Sequence, residues 1–373
     1  MAIFAGDSIG VDLGSCNIGI HLGGEGIALR EASKVLSLKA DSLQVLGIGD
    51  EARAMHGRTA EECQLVSPIM DGAVTDIDIC ALMIIALAER VTGKRKPMDK
   101  VRMMLSMPMG LTKVERAALS DAARMMGAKR AHFVKSPLAA AIGAGLSVEE
   151  ARGTMVLLLG GGVTEIAVLS MNGIVAARSM RTGSLSMDEA IVRYVRKNKD
   201  LIIGLNTAED LKCDIGSALM PAAEKSPADE NLIEGEVLDE FGQLIPVEPQ
   251  LEQGEKVLLR GKHAVTGVPT TIEITTRDIA MALAEPVSVI VDAMRDALGR
   301  TPEELAADIL EQGIQICGGG AMLFGLKEVL EAQTGVPVLV SEHPQDDVLL
   351  GIGRLLDDER LLRECIEAGS VEE

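Results

Sequence analysis

The sequence predicts an α/β fold built twice, and three glycine turns carry that prediction. In residues 154–170, TMVLLLGGGVTEIAVLS, the apolar run 155–159 reads as a fully buried strand. Gly160, Gly161 and Gly162 break it, and 164–170 read as a second strand. Residues 9–22, IGVDLGSCNIGIHL, repeat the arrangement near the start of the chain: an apolar strand, a glycine turn, a strand. A third turn, in residues 314–322 (IQICGGGAM), leads from a strand into a helix. Glycine lets backbone N–H groups turn inward this tightly at little steric cost, and such a turn is an anion cradle. One glycine turn is no more than a tight hairpin. Two similar hairpins in corresponding halves, with a third turn, suggest two halves closing on one phosphate-bearing ligand.

Length and composition set the bounds. The 373 residues are too many for one ordinary core and suit two or more domains. Hydrophobic residues at 47% and charged residues at 25% are those of a globular chain and argue against general disorder. Aromatics are only 1%, so the core must be built from Leu, Ile, Val, Ala and the 19 Met. A net charge of -20 excludes nucleic acid as the main partner and opposes broad adsorption to anionic membranes. No run is long and apolar enough to span a bilayer. Residues 1–5 lack the basic start and the apolar stretch of a signal peptide. The six cysteines and five histidines are scattered, without a zinc pattern, so reduced thiols and a cytoplasmic location are expected.

The elements follow in order. Asp12 ends the first strand against its turn, where it reads equally as a cap for the turn's N–H groups or as a carboxylate facing a metal–phosphate. Residues 27–49 read as short strands, 50–58 as a short helix, and 66–75 (VSPIMDGAVT) as a connector punctuated by Pro and Gly. From Asp76 a helix runs over 77–91 with apolar positions on both faces, which predicts burial. The basic loop 93–100, GKRKPMDK, is first a solvated turn; its alternative is a membrane-touching loop with Met98 inserted. Residues 101–107 form a strand. Thr112 and Glu115 make a capping box, and Gly127 ends that helix. A strand at 131–134 precedes a helix over 138–144, with Ser136 as N-cap and Pro137 in the first turn. After the second hairpin come a strand (174–181) and helices at 187–197 and 207–217, the last carrying Glu209 and Lys212 on one face as a surface pair. Residues 221–255 are acidic and Pro-punctuated and read as an insertion. Strands at 256–264 and 270–275 precede a helix over 277–297 interrupted at Pro286. Thr301 then caps a helix. After the third turn come a helix (324–334), a strand (336–340), a helical region (348–368) and a frayed tail.

Taken together, these motifs resemble the bacterial actin family, and within it the MreB cell-shape proteins. GVDLGSCN is similar to the first phosphate hairpin, SPIMDGAVTD to the interdomain segment, and GGGVTEIAVLSMNGIV to the second phosphate hairpin. MPMGLTKVERAALSDAARMMGA and SPLAAAIGAGLSV are similar to family signature runs. TAEDLKCDIGSA and CGGGAML resemble the two adenosine contacts. The resemblance covers nearly the whole chain. It implies an actin-like, ribonuclease H-like duplicated ATPase fold, with two halves and four subdomains around an ATP–Mg²⁺ cleft. Residues 1–31 and 76–146 would form subdomain IA, 32–75 IB, 147–184 and 276–373 IIA, and 185–275 IIB with the insertion at about 221–255. Asp12, Gly14, Ser15 and Asn17 would meet the phosphates and, through water at Asp12, the metal. Gly160, Gly161, Gly162 and Thr164 would close from the other half. Glu209 and Lys212 would meet ribose and adenine, and Gly318, Gly319 and Gly320 would back the adenosine of ATP or ADP.

The departures bear on activity. The family's Asp before the second glycine run, which helps hold the metal-bound water, is Leu158 here. Its water-orienting Glu before the Pro of the P-x-A-A-A-I-G helix is Ser136. Val163 replaces a Thr, and Ser184 and Leu185 replace the Gly and acid of a GGD turn. Phosphoryl transfer depends on positioning and charge stabilisation, so the expectation is an actin-like filament protein with weak or absent ATPase activity. The resemblance also implies filaments at the inner face of the membrane and partners among the membrane proteins of the cell-shape machinery, with weak lipid contact by Phe4 and Met98. Two alternatives stay open. If Leu158 and Leu185 both face the cleft, the chain is a nucleotide-free pseudo-actin scaffolding an active paralogue. In another class stands a monomeric phosphotransferase of the same superfamily, which would need a base for its acceptor hydroxyl.

Overall fold

The computed structural model describes residues 8–93, 101–128, 130–220 and 255–372. Phe4, Met98 and all of the 221–255 insertion but Glu255 lie outside the described residues. The chain forms two compact units. The first takes Met1–Ser186, Val289–Met322 and Leu330–Glu373; the second takes Met187–Ser288 and Leu323–Val329.

The first unit starts with β1 (Ser8–Leu13), β2 (Asn17–Leu22) and β3 (Gly26–Ala32), an antiparallel meander. Next come β4 (Val35–Leu38), β5 (Val45–Ile48), α1 (Asp50–Ala54), β6 (Cys63–Val66), β7 (Ile69–Met70) and β8 (Ala73–Val74). They are followed by α2 (Ile77–Thr92), β9 (Arg102–Met107), α3 (Lys113–Met125), β10 (Arg130–Lys135) and α4 (Ser136–Gly143). A second meander is formed by β11 (Thr154–Leu159), β12 (Thr164–Ser170) and β13 (Gly173–Met180). The capping box at Thr112 and Glu115 is present, and Asp76 caps α2 by accepting from the Ile79 N–H.

The second unit begins within α5 (Ser184–Lys199) and holds β14 (Leu201–Ile202), α6 (Leu205–Ile215), β15 (Lys256–His263) and β16 (Pro269–Thr275). The three strands form one antiparallel sheet. The chain then follows α7 (Thr276–Gly299), α8 (Glu303–Gln312), β17 (Ile314–Cys317), a 3₁₀ turn (Gly319–Met322), α9 (Leu326–Thr334) and β18 (Val338–Val340). It ends with α10 (Asp347–Asp357), α11 (Glu359–Glu367) and β19 (Val371–Glu372).

The duplication is plain in the first unit. One sheet runs β19-β10-β9-β1-β2-β3 and the other β13-β12-β11-β17-β18. In each, an antiparallel meander is extended on its first strand by parallel strands. One apolar core joins the first sheet to α2 and α3 around Val11, Ile84, Leu87 and Leu105. A second gathers α4 and α10 with β11 around Leu138, Val156, Ile352 and Leu355.

Five sequence expectations are corrected. Helix α7 runs through Pro286 without a break; Ile279, Leu283, Ile290 and Met294 are buried along one stripe, and that burial outweighs the hydrogen bond a proline removes. Ser136 is the first residue of α4 and not its cap; Lys135 holds the cap position. Pro302, not Thr301, precedes α8 at its cap. The tail is not frayed: β19 pairs with β10, with Val134 opposite Val371, which is buried. The connector 66–75 contains the hairpin β7–β8. Its turn residues Asp71 and Gly72 have φ 49° and 74°, the pair of positive values that a two-residue Asp-Gly hairpin turn requires.

Candidate functional site

The two glycine hairpins meet inside the first unit. A Cβ on Gly161 would stand 2.4 Å from Cys16 Sγ, and one on Gly162 would stand 2.7 Å from Ser15 Oγ and 2.9 Å from the Asp71 backbone. The Asp71–Gly72 turn closes the group, its Gly72 N–H donating to Ser15 Oγ at 3.0 Å. Three turns from distant parts of the sequence thus pack closely, and at Gly162 the nearness of the Asp71 main chain leaves no room for a Cβ. The third glycine turn joins them through Leu159: Gly318 donates its N–H to the Pro344 carbonyl, and a Cβ on Gly320 would meet Leu159 Cγ at 2.4 Å.

Asp12 sits where β1 ends. Ser106, on the neighbouring β9 one residue beyond the Val11–Leu105 pair, accepts from the Leu13 N–H at 2.8 Å and bonds the Asp12 carboxyl. Burial pushes the Asp12 pKa up, against the pull of Ser106 and of the Arg30 charge. Thr164 is fully buried and its hydroxyl donates to the Thr182 carbonyl at 2.5 Å, tying the second hairpin to the end of β13. Asn17 opens β2 and is exposed. Leu158 is 7% exposed and belongs to the apolar core of α4 and α10, while Leu185 is half-buried and donates its N–H to the Gly161 carbonyl.

Glu209 and Lys212 lie in the second unit, on α6. Lys212 Nζ stands 2.6 Å from Asp188 Oδ1, with side-chain exposures of only 12% and 3%. Lys212 thus forms a buried ion pair to a partner remote in sequence, which the spacing of α6 alone did not predict.

Sequence reasoning missed Ser106, Arg30, the Asp71–Gly72 turn and Glu165. Glu165 follows Thr164, is 2% exposed and accepts from the Met109 N–H at 2.6 Å. Burial raises its pKa to about 7 against the hydrogen bonds of Met109 and Ser179. The Asp-Gly pair was a readable hairpin signal. The others become visible only through strand register.

Among the described residues, the N–H groups of Gly14, Ser15, Gly161 and Gly162 donate to no protein acceptor. Backbone donors left unpaired in facing turns fit phosphate oxygens. The metal is another matter. No group of three or more His, Cys, Asp or Glu gathers among the described residues. Mg²⁺ takes one or two carboxylates beside substrate phosphates; here Asp12 is already bonded by Ser106, and the second expected position is the buried Leu158. The residues present fit a polyphosphate and offer Mg²⁺ a single carboxylate, Asp12, beside it.

A family model described as MreB/Mbl protein matches residues 6–238 and 238–364. The chain belongs to the MreB/Mbl family. It is 36% identical over 356 residues to the cell shape-determining protein Mbl of Bacillus subtilis, covering 95% of this chain and 97% of that one. It is also 36% identical over 359 residues to the cell shape-determining protein MreB of Escherichia coli, covering 95% and 94%. Among solved structures, MreB5 of Spiroplasma citri bound to AMPPNP superimposes with a TM-score of 0.83 at 26% identity, over 97% of this chain and 98% of that one. The MamK double helical filament, at 18% identity and a TM-score of 0.70 over 94% and 98%, shares the fold. The duplicated sheets are thus those of the actin-like fold, and the glycine turns of this MreB/Mbl member stand on its paired meanders. No helix among the described residues is long and apolar enough to cross a membrane.

Proposed function

We infer that this chain is an actin-like cytoskeletal protein of cell-shape determination that assembles into filaments and binds ATP or ADP with weak or no hydrolysis. The observation that supports nucleotide binding most directly is the set of unpaired backbone donors on the facing turns at Gly14–Ser15 and Gly161–Gly162. MreB5 of Spiroplasma citri, a relative over nearly the whole length, carries AMPPNP or ADP in its crystal structures. The weak hydrolysis follows from Leu158 and Ser136. One is packed in an apolar core and the other is a buried hydroxyl at the start of α4. Neither supplies the charge that orients and activates a water, and loss of one such positioned group lowers turnover by on the order of 100-fold or more. The four-subdomain boundaries drawn from the sequence, and a place at the inner face of the membrane, belong to the same proposal.

Purified protein with ATP and Mg²⁺, assayed together for phosphate release and for pelleting in the ultracentrifuge, tests it. Filaments are expected to pellet while phosphate release stays on the order of 100-fold below that of a family member carrying both groups. Release at that member's rate would mean other groups replace the lost carboxylates. Failure to pellet under any nucleotide condition would remove the filament reading.

A further inference from the structure

The sheet places a cation in line with the carboxylate of the first turn. Asp12 on β1 pairs with Gly19 on β2, and Gly19 pairs with Arg30 on β3. Residues directly opposite across strands share a face, so Ser106, Asp12, Gly19 and Arg30 form one transverse row. Gly19 contributes no side chain between the acid and the guanidinium. On that face lies α10: a Cβ on Gly19 would meet Leu349 Cδ2 at 2.7 Å. The segment leading into α10 holds Arg30 at its far side. Arg30 Nη1 donates to Gln345 Oε1 at 2.9 Å, and Arg30 ion-pairs with Asp346. Gln345 in turn lies beside the third glycine turn, with its Nε2 3.2 Å from Met322 Sδ. Arg30 therefore sits between the acid of the first turn and the backing of the third, with a side chain 35% exposed.

We propose that Arg30 supplies the phosphate-neutralising charge of this site, so that the chain binds nucleoside triphosphate without needing a divalent metal. A guanidinium is always charged and carries a planar fork of donors that matches phosphate oxygens. The unpaired N–H groups of Gly14, Ser15, Gly161 and Gly162 provide the remaining donors. Asp346 holds the guanidinium until the phosphates compete for it. The inference rests on the nucleotide-binding reading above and concerns only which cation balances the phosphates.

The test is equilibrium binding of a fluorescent ATP analogue to the full chain, read by anisotropy, in excess Mg²⁺ and in EDTA. Wild-type affinity is expected to change by less than about threefold between the two conditions. Arg30→Gln should lose at least about tenfold in EDTA and recover part of it in Mg²⁺, while Arg30→Lys should lose less, keeping the charge and losing the fork. Asp346→Asn, which frees the guanidinium, should tighten binding in EDTA about threefold; a merely structural Arg30–Asp346 link predicts weakening instead. Circular dichroism confirms that each variant is folded. A wild type that binds in Mg²⁺ but weakens more than about thirtyfold in EDTA, with Arg30→Gln unchanged, overturns the role of Arg30 and leaves nucleotide binding intact. No binding by the wild type in either condition overturns the nucleotide reading and the role of Arg30 with it.

Discussion

Gly351→Ala is expected to destabilise the protein by about 3 kcal/mol or more, the upper end of what overpacking costs. Helices α4 and α10 pack with main chain in direct approach. A Cβ on Gly351 would stand 1.8 Å from the Ala139 carbonyl oxygen, and one on Gly143 would stand 1.7 Å from that of Asp347. Both obstacles are backbone atoms of rigid helices, so no rotamer change relieves them. The helices must separate, and the core they share through Leu138, Leu158, Ile352 and Leu355 loosens with them. Urea unfolding followed by far-ultraviolet circular dichroism is the measurement, since the chain has no Trp. Gly143→Ala should act alike, and the double variant should cost less than the sum because both changes relax the same crossing. A loss below about 1 kcal/mol for either single variant would contradict the close approach.

Stability is expected to fall as pH rises from about 5 to about 8, and Glu165 is the group that drives it. Its pKa is raised from 4.5 to about 7 because burial disfavours the carboxylate more than the Met109 and Ser179 hydrogen bonds favour it. Between those two values the folded chain holds a proton that the unfolded chain has released. The contribution is therefore complete below the unfolded pKa and is lost as pH rises through about 7. The full swing is about 3 kcal/mol, at 1.36 kcal/mol for each pKa unit. Asp12 and Asp347, also raised by burial, act in the same direction. Thermal unfolding across this range should show a falling melting temperature in the wild type and a much flatter profile in Glu165→Gln. An identical slope in both proteins would assign the effect elsewhere. Glu165 lies directly opposite Leu158 across the hairpin.

Legibility in the sequence followed the range of the forces. The paired hairpins, the capping box at Thr112 and the start of α2 at Asp76 were readable because glycine turns, caps and apolar periodicity act within a few residues. The β7–β8 turn carried a readable Asp-Gly signal that two-residue strands made easy to pass over. The tail strand β19 could not be read at all: Val371 and Glu372 have no pattern of their own and are ordered by pairing with β10. The expectation of a break at Pro286 failed because a local penalty was weighed without the burial that offsets it.

The site divides in the same way. The sequence by itself determined the glycine turns, the loss of acids at Leu158 and Ser136, and the family to which both point, since residue identity along a motif is a local fact. Only the tertiary structure decided which groups surround those turns. Strand register set Ser106 and Arg30 in one row with Asp12. Core packing turned Leu158 inward among α4 and α10, and the approach of three turns brought Gly161 and Gly162 against Cys16, Ser15 and Asp71. Each of these depends on main chain separated by tens to hundreds of residues coming within hydrogen-bonding distance, and no local pattern encodes that distance.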